Sequence, residues 1–289
     1  METPDASLSS YHLEQLIELA VIEDIGPGDM TTDAIPRHPA LKGEGTIIAR
    51  EPVVVAGLEA ARRVFLKMDP GATFLPESSE GAEIDGGTVI ARVRGNFHAL
   101  LTGERIALNF LQRLCGIATH VRAYVNELSN SPVRLVDTRK TNAGWRALEK
   151  YAVRMGGANN HRLGLYDGIL VKDNHIAAFG DIRTAVEKTR QTASHLLKIE
   201  VEVSTLEQVK EALAAGADVI MLDNMNDSEI RTALAEINGK ALVEVSGQVA
   251  RGELKKLADM GVDIISVGAL THSARFVDLS MAISPLDAQ

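Results

Sequence analysis

The feature that most restricts the fold is a grammar that begins near Val133. A short β-branched run is followed by a polar or charged residue, then by an amphipathic stretch with helical spacing. Six such runs stand at 133–137, 168–172, 196–203, 218–223, 241–245 and 263–267. Strands that alternate with helices imply crossover connections and a parallel sheet. STLEQVKEALAAGA shows the helical half of the pattern, with Ser204 as N-cap, Glu207 at capping-box spacing and Gly216 as the stop. No GxGxxG turn or P-loop follows any of the runs, which argues against dinucleotide and nucleoside-triphosphate folds. Reactive residues collect instead at the strand ends, where (β/α) barrels build their active sites. Six strands fall short of the eight that close such a barrel, so an incomplete one is expected.

The first 120 residues read differently. A helix near 10–24, the turn IGPGDMTT, strand-like GTIIAR and PVVVAG, a helix over 58–68 and strand-like TVIARVRG describe a separate α+β domain. It ends in the helical pattern HALLTGERIALNFLQRLCGIATHVRAYVNEL, whose Leu101, Ile106, Leu108, Leu111, Leu114 and Ile117 form an apolar face with Arg105 off it. The expected organisation is an N-terminal domain over 1–120, an incomplete barrel carrying the active site over 121–274, and a tail, 275–289, that packs back on the first domain.

Charge narrows the partner. The chain carries a formal net charge of −9, which disfavours non-specific nucleic-acid binding. Yet residues 134–175 hold eight Lys/Arg against four Asp/Glu. A cation-rich segment in an acidic protein suits focused capture of a small anion. Cys115 is the only cysteine, so no intrachain disulfide is expected and a buried thiol is the simplest reading. The N-terminus lacks a secretory h-region and no run of 18 apolar residues occurs, so a soluble, cytoplasmic protein is expected.

Several residues are candidates for chemistry. Arg139, a planar fork, and Lys140, a point charge, are flanked by the hydroxyls of Thr138 and Thr141. His161 and Arg162 follow the Gly156-Gly157 turn. Lys172 ends a strand and reads either as an anion-binding ammonium or as a Schiff-base amine, with Asp173 and His175 as helpers or as helix caps. Glu202 and Asp223 end neighbouring runs and suit a magnesium anchor, acid–base work or sugar hydroxyls, while Glu200 shares the face of Glu202 one layer deeper. Small residues after the last two runs, Ser246, Gly247 and Gln248, and Ser266 through Ala269, suit backbone contact with phosphate.

Taken together, EDIGPGDMTT, LLTGERIALNFLQRLCGIAT, DTRKTNAGWRALEKYAVRMGGANNHRLGLYDGILVKDNHI, IEVEVSTLEQV, MLDN, EVSGQV and DIISVGALTHSA resemble quinolinate phosphoribosyltransferase over nearly the whole chain. The resemblance implies an α/β protein with an N-terminal α+β sandwich packed on an open, incomplete (β/α) barrel, and a homodimer. It also implies transfer of the phosphoribosyl group of phosphoribosyl pyrophosphate to quinolinate with decarboxylation, giving nicotinate mononucleotide in NAD biosynthesis, with magnesium. By motif position, Arg105, Arg139, His161, Arg162 and Lys172 look like the quinolinate pocket, with Lys140 adjoining, and Thr138 is a further substrate-binding candidate. Lys140, Glu202 and Asp223 are the expected catalytic residues, the two carboxylates meeting ribose and magnesium directly or indirectly. Ser246, Gly247 and Gln248, and Val267, Gly268 and Ala269, look like the phosphate side, and the family's counterpart of Arg105 enters the neighbouring subunit's site. Members often carry SGG or SGN where this chain has Ser246-Gly247-Gln248, a longer amide at the phosphate loop.

Overall fold

The computed structural model describes residues 10–35, 41–128 and 131–286. Residues 1–9 of the N-terminal stretch and 287–289 of the tail, both read above, lie outside the described residues. The chain forms two compact units, one from residues 1–122, 141–157 and 270–289, the other from 123–140 and 158–269.

The first unit contains helix α1 (Ser10–Ile25), strands β1 (Lys42–Ala49) and β2 (Val53–Val54), helix α2 (Leu58–Met68), strands β3 (Thr73–Pro76), β4 (Glu83–Ile84) and β5 (Val89–Asn96), and most of helix α3 (Phe97–Glu127). Four strands make an antiparallel sheet in the order β12-β1-β5-β3, where β12 is Leu279–Pro285. Its centre, β1, alternates buried and open residues, as a sheet with one covered face requires. PVVVAG yields only the two-residue β2, paired with β4. Beyond it, Val55 N–H donates to Ala82 O, and Gly57 and Leu58 N–H donate to the Glu80 carboxylate, which starts α2 instead of prolonging the strand.

Residues 141–157, read above as part of the barrel, belong to this first unit and carry helix α4 (Arg146–Met155). Glu149 on α4 is completely buried and accepts from Arg113 Nη2 at 2.8 Å, Arg113 Nε at 3.2 Å and Asn142 Nδ2 at 2.7 Å. Arg113 also donates to the carbonyls of Thr271 and Ala274, so each buried charge is paired and hydrogen-bonded. Trp145, at the start of α4, stacks on Phe110 with ring centroids 4.9 Å apart.

The second unit is a six-stranded parallel sheet in the order β6-β11-β10-β9-β8-β7, with β6 at Arg134–Val136, β7 at Ile169–Val171, β8 at Ile199–Val203, β9 at Val219–Asp223, β10 at Leu242–Ser246 and β11 at Ile264–Ser266. Helices α5 (Asp173–Phe179), α6 (Ile182–Thr192), α7 (Leu206–Ala214), α8 (Asp227–Ile237) and α9 (Leu254–Met260) make the crossovers, and α10 (Ala269–His272) follows β11. The sheet is open: β6 and β7 are its two edges and do not pair with each other. Asn159 runs alongside β6 instead, its N–H donating to Leu135 O and its carbonyl accepting from Asp137 N–H.

All six runs read from the sequence hold strands, five of them trimmed and the fifth shifted by one residue to Leu242–Ser246. The largest trim is in the third run, where β8 starts at Ile199 because Leu197 N–H closes a turn on Ser194 O and Leu196 is exposed. The N-cap of α7 is Thr205 rather than Ser204, its hydroxyl accepting from Gln208 N–H at 3.2 Å. Gln208 answers by accepting from Ser204 N–H at 2.8 Å. Both Ser204–Glu207 and Thr205–Gln208 fit capping-box spacing, and the frame one residue later won. No helix among the described residues is long and apolar enough to cross a membrane.

Candidate active site

Parallel strands send alternate side chains to opposite faces, so β8 places Glu200 and Glu202 together, and β10 does the same for Glu244 and Ser246. A cleft of about 570 Å³ opens where these strands end. Thr138, Arg139 and Lys140 line it from the loop after β6, His161 and Arg162 from the segment beyond Asn159, and Lys172 from the end of β7. Glu202 of β8 and Asp223 of β9 form another part of the wall, and Ser246 at the end of β10 continues it with Gly247 and Gln248. Of the remaining expected site residues, Val267, Gly268 and Ala269 follow β11 outside the cleft lining, which takes Ser266 from that strand. Arg105 is exposed on α3, in the first unit.

The cations are held by identifiable partners. Lys172 Nζ is ion-paired with Glu202 Oε2. Its side chain is 41% exposed, so the apolar enclosure that activates a Schiff-base lysine is missing. His175 serves the backbone: its Nδ1 accepts from Lys172 N–H at 2.9 Å and opens α5. Arg162 donates from Nη1 to Gly168 O at 3.0 Å. Burial and then the like charge of Arg139 lower its pKa, opposed by Glu200 and Asp167. A guanidinium starts so high that it stays charged, and the shift records two forks converging on one space.

At the rim, Gly247 adopts φ +127°, and a Cβ there would lie 2.6 Å from Asn224 Oδ1, so this turn accepts only glycine. Asn224 is itself left-handed at φ +54°, donates from its backbone N–H to Ser246 O, and donates from Nδ2 to Asp223 at 2.8 Å. The small-residue loop and the Asp223 carboxylate are thereby fixed to each other.

Two structural members of the site were not singled out from sequence. Asp137 is fully buried and accepts from His161 N–H at 2.9 Å and Asn160 Nδ2 at 2.7 Å, which pins the NNHR segment beside β6. Glu244 is 1% exposed on β10, with its Oε2 3.6 Å from His161 Nε2. Burial first, and then the neighbouring Glu200 charge, push its pKa up to about 8, while His161 and Ser266 pull the other way. The sequence signal was present in both cases: an acid inside an otherwise apolar run, as in LVD and ALVEV, must find a buried partner.

Comparison with known proteins fits this geometry. The family description "Quinolinate phosphoribosyl transferase, N-terminal domain" matches residues 29–115 and its C-terminal counterpart matches residues 117–282. A probable carboxylating nicotinate-nucleotide pyrophosphorylase from Synechocystis is 46% identical over 90% of this chain and 89% of its own length. Its counterpart from Bacillus subtilis is 42% identical over 96% and 95%. The crystal structure of NadC from Streptococcus pyogenes superposes with a TM-score of 0.92 at 39% identity, covering 97% of this chain and 99% of that one. With both domains matched in order and relatives at this identity, the chain belongs to the quinolinate phosphoribosyltransferase family.

Proposed function

We propose that the protein joins quinolinate to phosphoribosyl pyrophosphate, giving nicotinate mononucleotide, carbon dioxide and pyrophosphate in NAD biosynthesis. The observation that carries this reading is the gathering of Arg139, Lys140, Arg162 and Lys172 around one cleft in a chain of net charge −9. Quinolinate brings two adjacent carboxylates and its co-substrate brings a phosphate and a pyrophosphate. Arginine forks can grip the carboxylates in two directions and so aim the ring nitrogen at the anomeric carbon.

In this reading, Arg139, Arg162 and Lys172 hold the ring, with Thr138 and His161 completing the pocket wall and Lys140 beside it. Glu202 and Asp223 hold the ribose hydroxyls, and the loop Ser246-Gly247-Gln248, with Val267 to Ala269, receives phosphate. The nitrogen lone pair forms the new bond to the anomeric carbon as the bond to pyrophosphate breaks, with oxocarbenium character between. The carboxylate next to the new cationic nitrogen then departs as carbon dioxide. Its bonding pair stays on the ring carbon, beside the positive nitrogen that stabilises it, and a proton is taken up there. Arg139 serves chiefly the carboxylate that remains, because a tight grip on the departing one would oppose its loss.

Magnesium suits the donor set, since Glu202 and Asp223 offer hard carboxylate oxygens beside the small-residue loop. When bound, it neutralises charge on the leaving pyrophosphate. We further place the protein in the cytoplasm as a homodimer in which Arg105 reaches the partner's site. The lone buried thiol of Cys115 and the exposure of Arg105 support this.

The test is release of carbon dioxide and pyrophosphate from quinolinate, phosphoribosyl pyrophosphate and magnesium, with nicotinate as control. Equal release with quinolinate alone is expected, and no release from folded protein refutes the reading. For the shared site, mixing inactive Arg105→Ala and Lys140→Ala chains should restore part of the activity, and verified mixed dimers without recovery refute it.

A further inference from the structure

At the cleft wall formed by His161 lie two acids, Glu200 and Glu244, that the reaction as described leaves unused. Glu200 and Glu244, 6% and 1% exposed, converge on the imidazole of His161 from β8 and β10. His161 Nε2 is 3.1 Å from Glu200 Oε2 and 3.6 Å from Glu244 Oε2. The remaining oxygen of each carboxyl, Oε1, is buried without a hydrogen-bond partner.

The other ring nitrogen decides what this cluster is. Arg162 N–H donates to His161 Nδ1 at 2.7 Å, so Nδ1 presents a lone pair and carries no proton. A charged imidazolium would set two N–H groups against each other at that distance. The ring is therefore neutral, with its proton on Nε2 directed at Glu200. The same contact speaks against a metal ion between the three side chains, although their donor atoms lie within 4.8 Å of one another. Ligation through Nε2 of a neutral ring would move the proton to Nδ1, where the Arg162 amide already points.

Burial, and then the neighbouring Glu200, raise the pKa of Glu244, the deeper of the two carboxyl groups. Glu200 Oε2, 3.1 Å from Nε2, is placed to accept the ring proton of His161. Asp137 holds the backbone of the same residue from the opposite edge, so ring and main chain are both fixed.

We propose that Glu244 and Glu200 are positioning residues of the quinolinate pocket, which lock His161 as the neutral, Nε2-protonated tautomer. The cation count facing the two substrate carboxylates is then set by arginine and lysine alone. His161 contributes a fixed ring wall whose nitrogens are already committed to the protein. This deepens the reading above and rests on the pocket assigned there. The tautomer itself is read in the free protein, so it can fail while the activity stands, and the reverse.

The test labels histidine ring nitrogens with nitrogen-15 and identifies the His161 signals by their loss in His161→Gln. At pH 7 one nitrogen should be protonated and one not, with the proton on Nε2. Two protonated nitrogens, or a proton on Nδ1, would overturn the proposal. In a second arm, Glu244→Leu should raise KM for quinolinate about tenfold, the order expected for one mis-set buried hydrogen bond. KM for phosphoribosyl pyrophosphate should move by less than about twofold. Glu244→Gln, a neutral donor of the same shape, should recover most of the loss. Equal shifts in both KM values, or a Gln variant as impaired as the Leu variant, would mean that Glu244 merely supports the fold.

Discussion

Glu149→Ala should cost the first unit about 3–5 kcal/mol, the range for removing one partner of a buried ion pair. The upper half is expected here, because Glu149 is fully buried and its loss strands two neighbours at once. Arg113, with a side chain 8% exposed, would keep the Thr271 and Ala274 carbonyls but no counter-charge. Asn142 would lose the acceptor of its side-chain amide. Trp145, the only tryptophan, sits at the head of the same helix, so its fluorescence in urea reports on this region. With a denaturant slope of roughly 2–3 kcal/mol per molar, the midpoint should fall by roughly 1.3–2.5 M. Replacing both partners, as Arg113→Met with Glu149→Leu, should recover more than half of the loss, because the desolvation penalty goes with the pair. A midpoint shift below about 0.3 M for Glu149→Ala, or a double variant worse than the single, would refute the argument.

Further expectations follow from the same geometry. Gly247→Ala forces a side chain into φ +127° against Asn224, and strain of about 1–3 kcal/mol should appear as a rise of about fivefold or more in KM for phosphoribosyl pyrophosphate. A change under about twofold would count against a phosphate role for that loop. Arg162→Lys keeps charge but loses the fork, and KM for quinolinate should rise at least tenfold on the order of one charged hydrogen bond, whereas an unchanged KM would remove Arg162 from the pocket. Burial pushes the Cys115 thiol up to about 12, so alkylation at pH 8 should wait for unfolding, and rapid labelling of native protein would contradict its burial. The hydrogen bonds from Arg275 and then the Asp278 amide lower the Glu51 carboxyl to about 2 from its ordinary 4.5. A folded pKa below the unfolded one means that Glu51 stabilises fully above about pH 4.5, and that this is lost as pH falls toward 2. Glu51→Gln should therefore flatten the acid-unfolding curve in that window, and an unchanged curve would show that the contact is not maintained in solution.

The parallel half of the fold was legible because each of its strands is a continuous apolar run closed by a polar residue, a pattern that survives without knowledge of neighbours. The cleft was legible for the same reason, since strand ends announce their reactive residues. What escaped depends on contacts across the sequence. Nothing local in TNAGWRALEKYAVRMG says that α4 joins the first unit. That choice is made by Glu149 meeting Arg113 and by Trp145 meeting Phe110, partners from another part of the chain. β3 and β4 were missed because they are short and weakly buried, and their pairing with β5 and β2 defines them more than their composition does. Glu244 escaped because a single acid in an apolar run has no visible partner until β8 lies nearby with Glu200 and His161 is turned inward.

The pairing of β1 with β12 has a consequence for biosynthesis. Gly43 meets Pro285, so β1 waits for a partner strand that is synthesised long after it. At about 5–20 residues per second the ribosome takes roughly 10–50 s to deliver that partner. Until then β1 carries β5 on one side and an open row of amides and carbonyls on the other, the kind of edge that captures foreign strands. A nascent chain of this protein is therefore most exposed to aggregation along β1, and a chaperone that shields it need act only until β12 emerges.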